Sequence, residues 1–241
     1  MTNDGLLTSM AAFGSTLSLY LLMTKKKKEE IEEEEEVTQD QITPNLALQL
    51  ISQRRSIFPK QYTGNAVPRQ VLDDMLEAAR WAPSHRLTQP WHFVVFEKLE
   101  HRAQLGSLLA SHYRESQMAN NKEVSERKYM KKIANAAKAS YIIAICVDTT
   151  SSTNALLEEV CSVACAAQNM LLVASAHKVG AYWSSSAVYG EDGKTPAWIL
   201  EFLELPVDEF LCLGWMFVGG FQEEWPSSFR KPCSRTFYGS S

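Results

Sequence analysis

Apolar residues recur at helical spacing in six parts of the chain, beginning at Thr43. The predicted helices run from Thr43-Pro44 to Arg54, from Val67-Pro68 to a stop at Pro83, over 98–118, over 122–138, over Asn154–Lys178 and from Thr195-Pro196 to Glu204. The fifth of them is apolar on nearly every face between Val160 and Ala176. We therefore expect that helix to be buried at the centre of the domain, with Gly180 as its C-terminal stop.

Three short runs have the length and composition of strands: Trp91–Phe96, Tyr141–Val147 and Phe210–Val218. The last two are apolar almost throughout, which is typical of strands covered on both faces. Helices and strands do not alternate as regular βαβ units, and neither GxGxxG nor GxxxxGK[ST] occurs. The pattern predicts an α+β fold with a central sheet and disfavours a Rossmann domain. The tail from Gly219 shows no clear element.

The N-terminal region has a different character from the body. Residues 5–23 carry no charge, and as a helix they would rise about 28 Å, close to the thickness of a bilayer core. Lys25–Lys28 follow directly, which favours a membrane anchor with the body facing the cytosol. A cleaved or atypical targeting segment and a disordered tail are the alternatives. We divide the chain into a hydrophobic segment (1–24), a charged linker (25–42) and a folded domain (43–241).

The net charge of −4 comes from the first 36 residues, which hold four lysines and eight acidic residues. The rest of the chain has 20 basic and 20 acidic residues, and a neutral body gives no general field for nucleic acid. The five cysteines form no CxxC pair, and no metal ligand set is complete around Cys161 and Cys165. We expect these two to be buried, reduced thiols of a core helix.

Three groups of residues suit the binding of a phosphorylated planar ligand. Arg54-Arg55-Ser56 ends the first helix and could hold a phosphate, although such arginines also complement a helix dipole. The loop from Trp81 to Trp91 is stiffened by prolines and offers aromatic walls, unless it is only a structural turn. Gly180–Ser186, rich in small residues and hydroxyls, would let a backbone approach a ligand, unless it is an ordinary serine-rich turn.

In this order the three groups resemble the nitroreductase family of FMN-dependent oxidoreductases, over about Leu46 to Gly219. The similarity is greatest to a small bacterial branch of predicted NAD(P)H nitroreductases with the loop AP-x-H-x-x-x-QPW. The loop residues that match are Ala82, Pro83, His85, Gln89, Pro90 and Trp91. The resemblance implies a central, mostly antiparallel sheet flanked by helices, and an intertwined homodimer with FMN at the interface.

The resemblance also implies roles for residues. Arg54, Arg55 and Ser56 would bind the FMN phosphate and ribityl chain from one subunit, and Trp81 and His85 would reach the flavin from the other. Trp183, Ser184 and Ser185 would line the isoalloxazine, and Val173–Lys178 corresponds to a segment that contacts nicotinamide nucleotide. Trp81 and Ser184 stand where that branch has basic residues. The candidates to replace those charges are Arg86, Lys178, Arg230, Lys231 and Arg235.

The implied activity is reduction of nitroaromatic, quinone or other small organic acceptors, with NAD(P)H as co-substrate, by ping-pong hydride transfer. The flavin N5 is then the reactive centre, and no side chain is assigned a catalytic role. One alternative is a membrane-anchored reductive dehalogenase resembling iodotyrosine deiodinases, although the residues at 126–132 lack the matching spacing. Another is a flavin-binding module without turnover. Without an anchor, the protein would be cytoplasmic.

Overall fold

The computed structural model describes residues 43–150, 155–190 and 192–238. The chain divides into two units, Met1–Ala47 and Leu48–Ser241, and only Thr43–Ala47 of the first fall within the described residues. The hydrophobic segment and the charged linker lie outside the described residues. The second unit contains the sheet and the helices packed on it.

Four antiparallel strands form one sheet in the order β1-β2-β4-β3. The strands are Trp91–Phe96 (β1), Tyr141–Asp148 (β2), Gly180–Ser184 (β3) and Phe210–Gly219 (β4). The α+β class with an antiparallel central sheet is therefore confirmed. The alternative interpretation of Gly180–Ser186 as a serine-rich turn is wrong for Gly180–Ser184. These residues form β3, which pairs with the end of β4. β3 is short and lies at an edge, so its sequence lacks the apolar run of the central strands.

The described residues form six α-helices: Pro44–Gln53 (α1), Arg69–Arg80 (α2), Leu99–Ala119 (α3), Glu126–Lys138 (α4), Leu156–Ala176 (α5) and Ala197–Phe202 (α6). Short 3₁₀ turns occur at Pro59–Gln61 and His85–Leu87. Thr43 caps α1 as predicted, since its Oγ1 accepts a hydrogen bond from the Leu46 amide at 3.2 Å. Gly180 does not stop α5; Lys178 takes the left-handed conformation after that helix, and Gly180 opens β3.

Each face of the sheet has its own core. On one face α2 and α5 pack over the sheet, with Met75 of α2 and Met170 of α5 fully buried. On the other face Leu105 of α3 and Ala136 of α4 pack near Trp215 of β4. A sheet covered on both sides explains why β2 and β4 are apolar almost throughout.

Helix α5 is buried along one side only. Val163, Ala167 and Met170 face the core, whereas Cys161 and Cys165 are exposed, so the expectation of buried thiols is wrong. The apolar composition of the helix misled that prediction, because one of its apolar faces is left uncovered in the single chain. Within the described residues, α5 is also the one helix long and apolar enough to cross a membrane, and one side of it packs in the core.

The segment that follows the arginine pair is fixed to the edge of the sheet by Tyr62. The Tyr62 ring is buried, and its hydroxyl donates a 2.9 Å hydrogen bond to the carbonyl oxygen of Phe217 on β4. Gly180 and Gly219 face each other across β3 and β4, and a Cβ at Gly180 would lie 2.6 Å from Tyr62 Cε1. The two glycines thus form a slot for the ring, and Ile57 adds a 3.0 Å backbone bond to Ala181.

A bulge in β4 positions the start of the serine-rich segment. Leu213 is the extra residue between two register pairs, and its carbonyl oxygen accepts a 3.2 Å bond from Trp183 Nε1. Gly214 has a φ of 145°, and a Cβ there would lie 2.5 Å from Trp183 Nε1. The bulge therefore holds the Trp183 indole across β4 and fixes the direction in which the chain continues into Ser184.

We predict that Gly180→Ala lowers the free energy of unfolding by about 1–3 kcal/mol, because the added methyl overlaps the Tyr62 ring. In a Tyr62→Leu background the same substitution should cost much less, since the ring is gone. Urea denaturation of the two single variants and the double variant measures this coupling. An equal cost in both backgrounds would contradict the slot.

Candidate functional site

Arg55 ties the end of α1 to the C-terminal tail. Its Nε donates to the carbonyl oxygen of Pro226 at 2.8 Å, and its Nη1 donates to that of Ser52 at 2.6 Å. The Trp225 indole adds a 2.7 Å bond to the carbonyl oxygen of Gln53. These bonds hold the tail beside the arginine pair, so Arg55 has a structural role whatever else it binds.

Arg54 has its charge available. Within the described residues its guanidinium has no hydrogen-bond or ion-pair partner, and it lines a hollow of about 540 Å³ together with Arg55, Gln168, Ser228 and Arg230. Burial lowers the pKa of Arg54, and the nearby charges of Arg230 and Arg55 lower it further. Three guanidiniums that repel one another without a carboxylate in the lining form a receptive site for a phosphate.

Five basic residues were considered as replacements for the charges missing at Trp81 and Ser184. One of them, Arg230, lines this hollow. Its Nη1 bonds to the Phe229 carbonyl oxygen at 2.9 Å and also contacts Ser228 Oγ. Arg86 and Lys178 lie on other elements, the strained loop and the end of α5. Ser56 is exposed, just before the buried Ile57, and does not line the hollow. Arg54 and Arg55 of the first predicted group thus meet Arg230 of the tail there.

The loop of the second group is strained and presents its apolar side chains outward. Arg86, Leu87 and Gln89 have φ of 52°, 57° and 50°, in the region that non-glycine residues seldom occupy. Trp81 and Leu87 have exposed fractions of 75% and 79%. Conformational strain and exposed apolar surface thus coincide in this loop.

Polar contacts join this loop to the start of α5. His85 Nδ1 lies 3.2 Å from Glu158 Oε2, and Thr88 Oγ1 donates a 2.8 Å bond to Glu159 Oε2. The Trp81 indole bonds to Glu77 Oε1 at 2.8 Å, which fixes its orientation. Trp81 lines a separate hollow formed by the loop itself and Arg80.

The third group lies on and after the edge strand. Trp183 is held by its bond to Leu213, Ser184 Oγ accepts a 3.3 Å bond from the Ser186 amide, and Ser185 is exposed. Ser184 and Ser186 line a second cavity, of about 370 Å³. Its walls include Phe58 and Tyr182, whose ring centroids lie 4.6 Å apart.

Both cavities border the short segment that follows α1, and each contains some residues of one predicted group. The arginine hollow lies where residues 54–55 leave α1, and Phe58 and Lys60 of the same segment line the second cavity with Ser184. The loop residues Trp81 and His85 line neither. Of the third group, Trp183 and Ser185 do not line the second cavity either.

Sequence reasoning did not single out several residues of these cavities. Phe58 and Lys60 follow the RRS motif directly, so proximity along the chain could have indicated them. Lys132 and Asn135 occupy one side of α4, and only the folded arrangement shows that they line the cavity with Ser184. Gln168 reaches the arginine hollow from α5, and no pattern in the sequence marks it.

The model of the nitroreductase family matches residues 51–220 of the chain. YfhC of Bacillus subtilis, a predicted NAD(P)H nitroreductase, is 25% identical over 139 residues, which are 58% of this chain and 69% of that protein.

Solved structures show the same fold. A predicted nitroreductase from Desulfovibrio desulfuricans, crystallised in complex with FMN, is 28% identical with a TM-score of 0.61. The match covers 81% of this chain and 99% of that protein. A nitroreductase-like protein of Bacillus cereus is 18% identical with a TM-score of 0.62. That match covers 82% of this chain and 99% of the other protein, and it shows the fold alone.

Proposed function

Because the chain belongs to the nitroreductase family, we propose that it is an NAD(P)H-dependent FMN oxidoreductase. The observation that carries the proposal is the hollow of Arg54, Arg55 and Arg230, whose lining holds three guanidiniums and no carboxylate. Two similar proteins support the proposal: one was crystallised in complex with FMN, and the other is a predicted NAD(P)H nitroreductase.

Separate groups of residues hold the phosphate and the ring of the cofactor. Arg54 and Arg230 bind the phosphate with Arg55 and Ser56, and the indole of Trp183 with Ser184 and Ser185 lines the ring. FMN, when bound, supplies the hydride-transfer chemistry. The protein positions and desolvates the ring, and no side chain is assigned as a general acid or base.

The acceptors we propose are nitroaromatics, quinones or related small organic compounds, reduced in a ping-pong cycle. The contacts between α3 and α4 argue against the dehalogenase alternative. Glu126 pairs with Arg114 at 3.2 Å, and the Arg114 guanidinium lies 3.9 Å from the centroid of the Tyr129 ring. These groups are engaged with one another, so they are not arranged to clamp an amino acid.

A test of the activity uses the purified, FMN-loaded protein. We expect a yellow protein that bleaches when NADH or NADPH is added under argon and regains its colour in air, because the flavin is reduced and then reoxidised. Absorbance near the flavin maximum follows both phases. Persistent colour after either nucleotide would instead indicate a flavin-binding module, and failure to take up FMN would contradict the proposal altogether.

We further propose that the protein acts as a homodimer in which His85 and Trp81 of one subunit reach the flavin of the other. Leu157 at the start of α5 is 72% exposed and lies next to Glu158, the contact of His85. With Trp81 and Leu87 it gives an exposed apolar surface. The tail 220–238 has no helix or strand of its own, which suits packing against a second subunit.

Leu157→Asp should convert the dimer to monomers, because it places a charge in the apolar contact. The same variant should bind FMN at least tenfold more weakly if the partner completes the site, by about 1.4 kcal/mol. Light scattering after gel filtration gives the mass. Leu99→Asp is the control, since Leu99 is 58% exposed at the start of α3 and should leave the dimer intact. A dimeric Leu157→Asp variant would refute this interface.

Attachment to a membrane through residues 5–23 remains a proposal that rests on their uncharged run and on Lys25–Lys28. Fractionation of cells that express the full chain tests it. Recovery in the membrane pellet after a high-salt wash is expected, and recovery in the supernatant would contradict it.

A further inference from the structure

The cavity of about 370 Å³ beside Ser184 is rich in positive charge. It lies among the 3₁₀ turn at Pro59–Gln61, helix α4 and strand β3. Lys60, Lys131 and Lys132 line it, and none of its lining residues is acidic. A cavity with three ammonium groups and no carboxylate carries an unbalanced charge in its walls.

Lys132 is the ammonium most withdrawn from water. It is half-buried, its Nζ lies 3.1 Å from Ser186 Oγ, and burial lowers the pKa of its amine. The Tyr113 ring centroid lies 5.9 Å from Nζ, and within the described residues no carboxylate pairs with this charge. An ammonium has three donors, so Lys132 can still offer hydrogen bonds to a ligand.

The remaining walls suit a flat apolar body. Phe58 and Tyr182 pack 4.6 Å apart at an angle of 44°, and Leu109 and Phe217 extend the apolar surface. The volume is at the small end of the range for ligand pockets, which fits a compound of one or two rings. The cavity also contains Ser184, which we assign to the flavin, so a ring bound here lies next to the cofactor.

We propose that this cavity binds the electron acceptor, and that it selects planar aromatic acceptors carrying an anionic substituent, whose charge is held by Lys132. Lys60 and Lys131, both exposed, add to the attraction for an anion. The proposal rests on the proposed flavin function and deepens it by naming the class of acceptor. A partly buried ammonium without an acid partner gains more from an anionic ligand than from its neutral analogue.

The test compares 2-naphthoate with 2-naphthamide, a pair that shares its rings and differs in charge. Isothermal titration of the FMN-loaded protein should show naphthoate binding about tenfold more tightly, as expected for a charge-assisted hydrogen bond. Lys132→Met should abolish that preference and leave the affinity for naphthamide nearly unchanged. Lys138→Met, at the exposed end of the same helix, is the matched control and should keep the preference.

Equal affinities of the unmodified protein for the two compounds would overturn the proposal, as would a preference that survives in Lys132→Met. If Lys132→Met instead releases FMN or shifts its reduction potential while the preference stays, the ammonium serves the flavin and the proposal is wrong. The ratio of FMN to protein is measured before each titration. A protein that takes up no FMN counts against the proposed function, and the naphthoate preference is then tested on the flavin-free protein.

Discussion

The candidate site depends on one constraint, the packing of the Tyr62 ring against Gly180 and Gly219. Its ring fills the slot over Gly180 and Gly219, and its hydroxyl bonds to β4. The segment from Ser56 to Tyr62 is thereby fastened along the edge of the sheet. Arg54 leaves one end of this segment, and Phe58 and Lys60 lie within it. Packing in the core thus fixes the segment that both cavities border.

Three of the surfaces that the single chain leaves uncovered are linked to one another. The exposed side of α5, the outward Trp81 and the strained loop around Leu87 are connected through the contact of His85 with Glu158. Strain of this kind persists only where surrounding structure supports it. In the proposed homodimer the second subunit would supply that support, since Trp81 and His85 line neither of the two cavities of their own chain.

The sequence predicted the parts of the fold that periodicity controls. Trp91–Phe96 is a strand with the predicted bounds, and the predicted helices are present with ends shifted by a few residues. The edge strand β3 was not predicted, because it has five residues and no apolar run. The exposure of Cys165 was not predicted either, because composition does not tell which apolar face of a helix meets the core and which meets a partner.

The site was predictable to the extent that its residues are close along the chain. The Arg54-Arg55-Ser56 motif and the serine-rich segment were found, and the resemblance to the family ordered them. The choice of Arg230 among five basic residues required the fold, because the tail reaches the hollow through the bonds of Arg55. Lys132 was considered only within residues 126–132 for the dehalogenase alternative, and its lack of an acid partner among the described residues became visible only with its neighbours in place.

The central claim is that the arginine hollow holds the phosphate of FMN. The most direct measurement is the dissociation constant of FMN and of riboflavin, which lacks the phosphate, for the unmodified protein and for Arg54→Ala. We predict that Arg54→Ala weakens FMN binding by at least about tenfold and leaves riboflavin binding unchanged, whereas Arg127→Ala, on the exposed side of α4, changes neither. Equal losses for the two flavins, or no loss for FMN, would contradict the account.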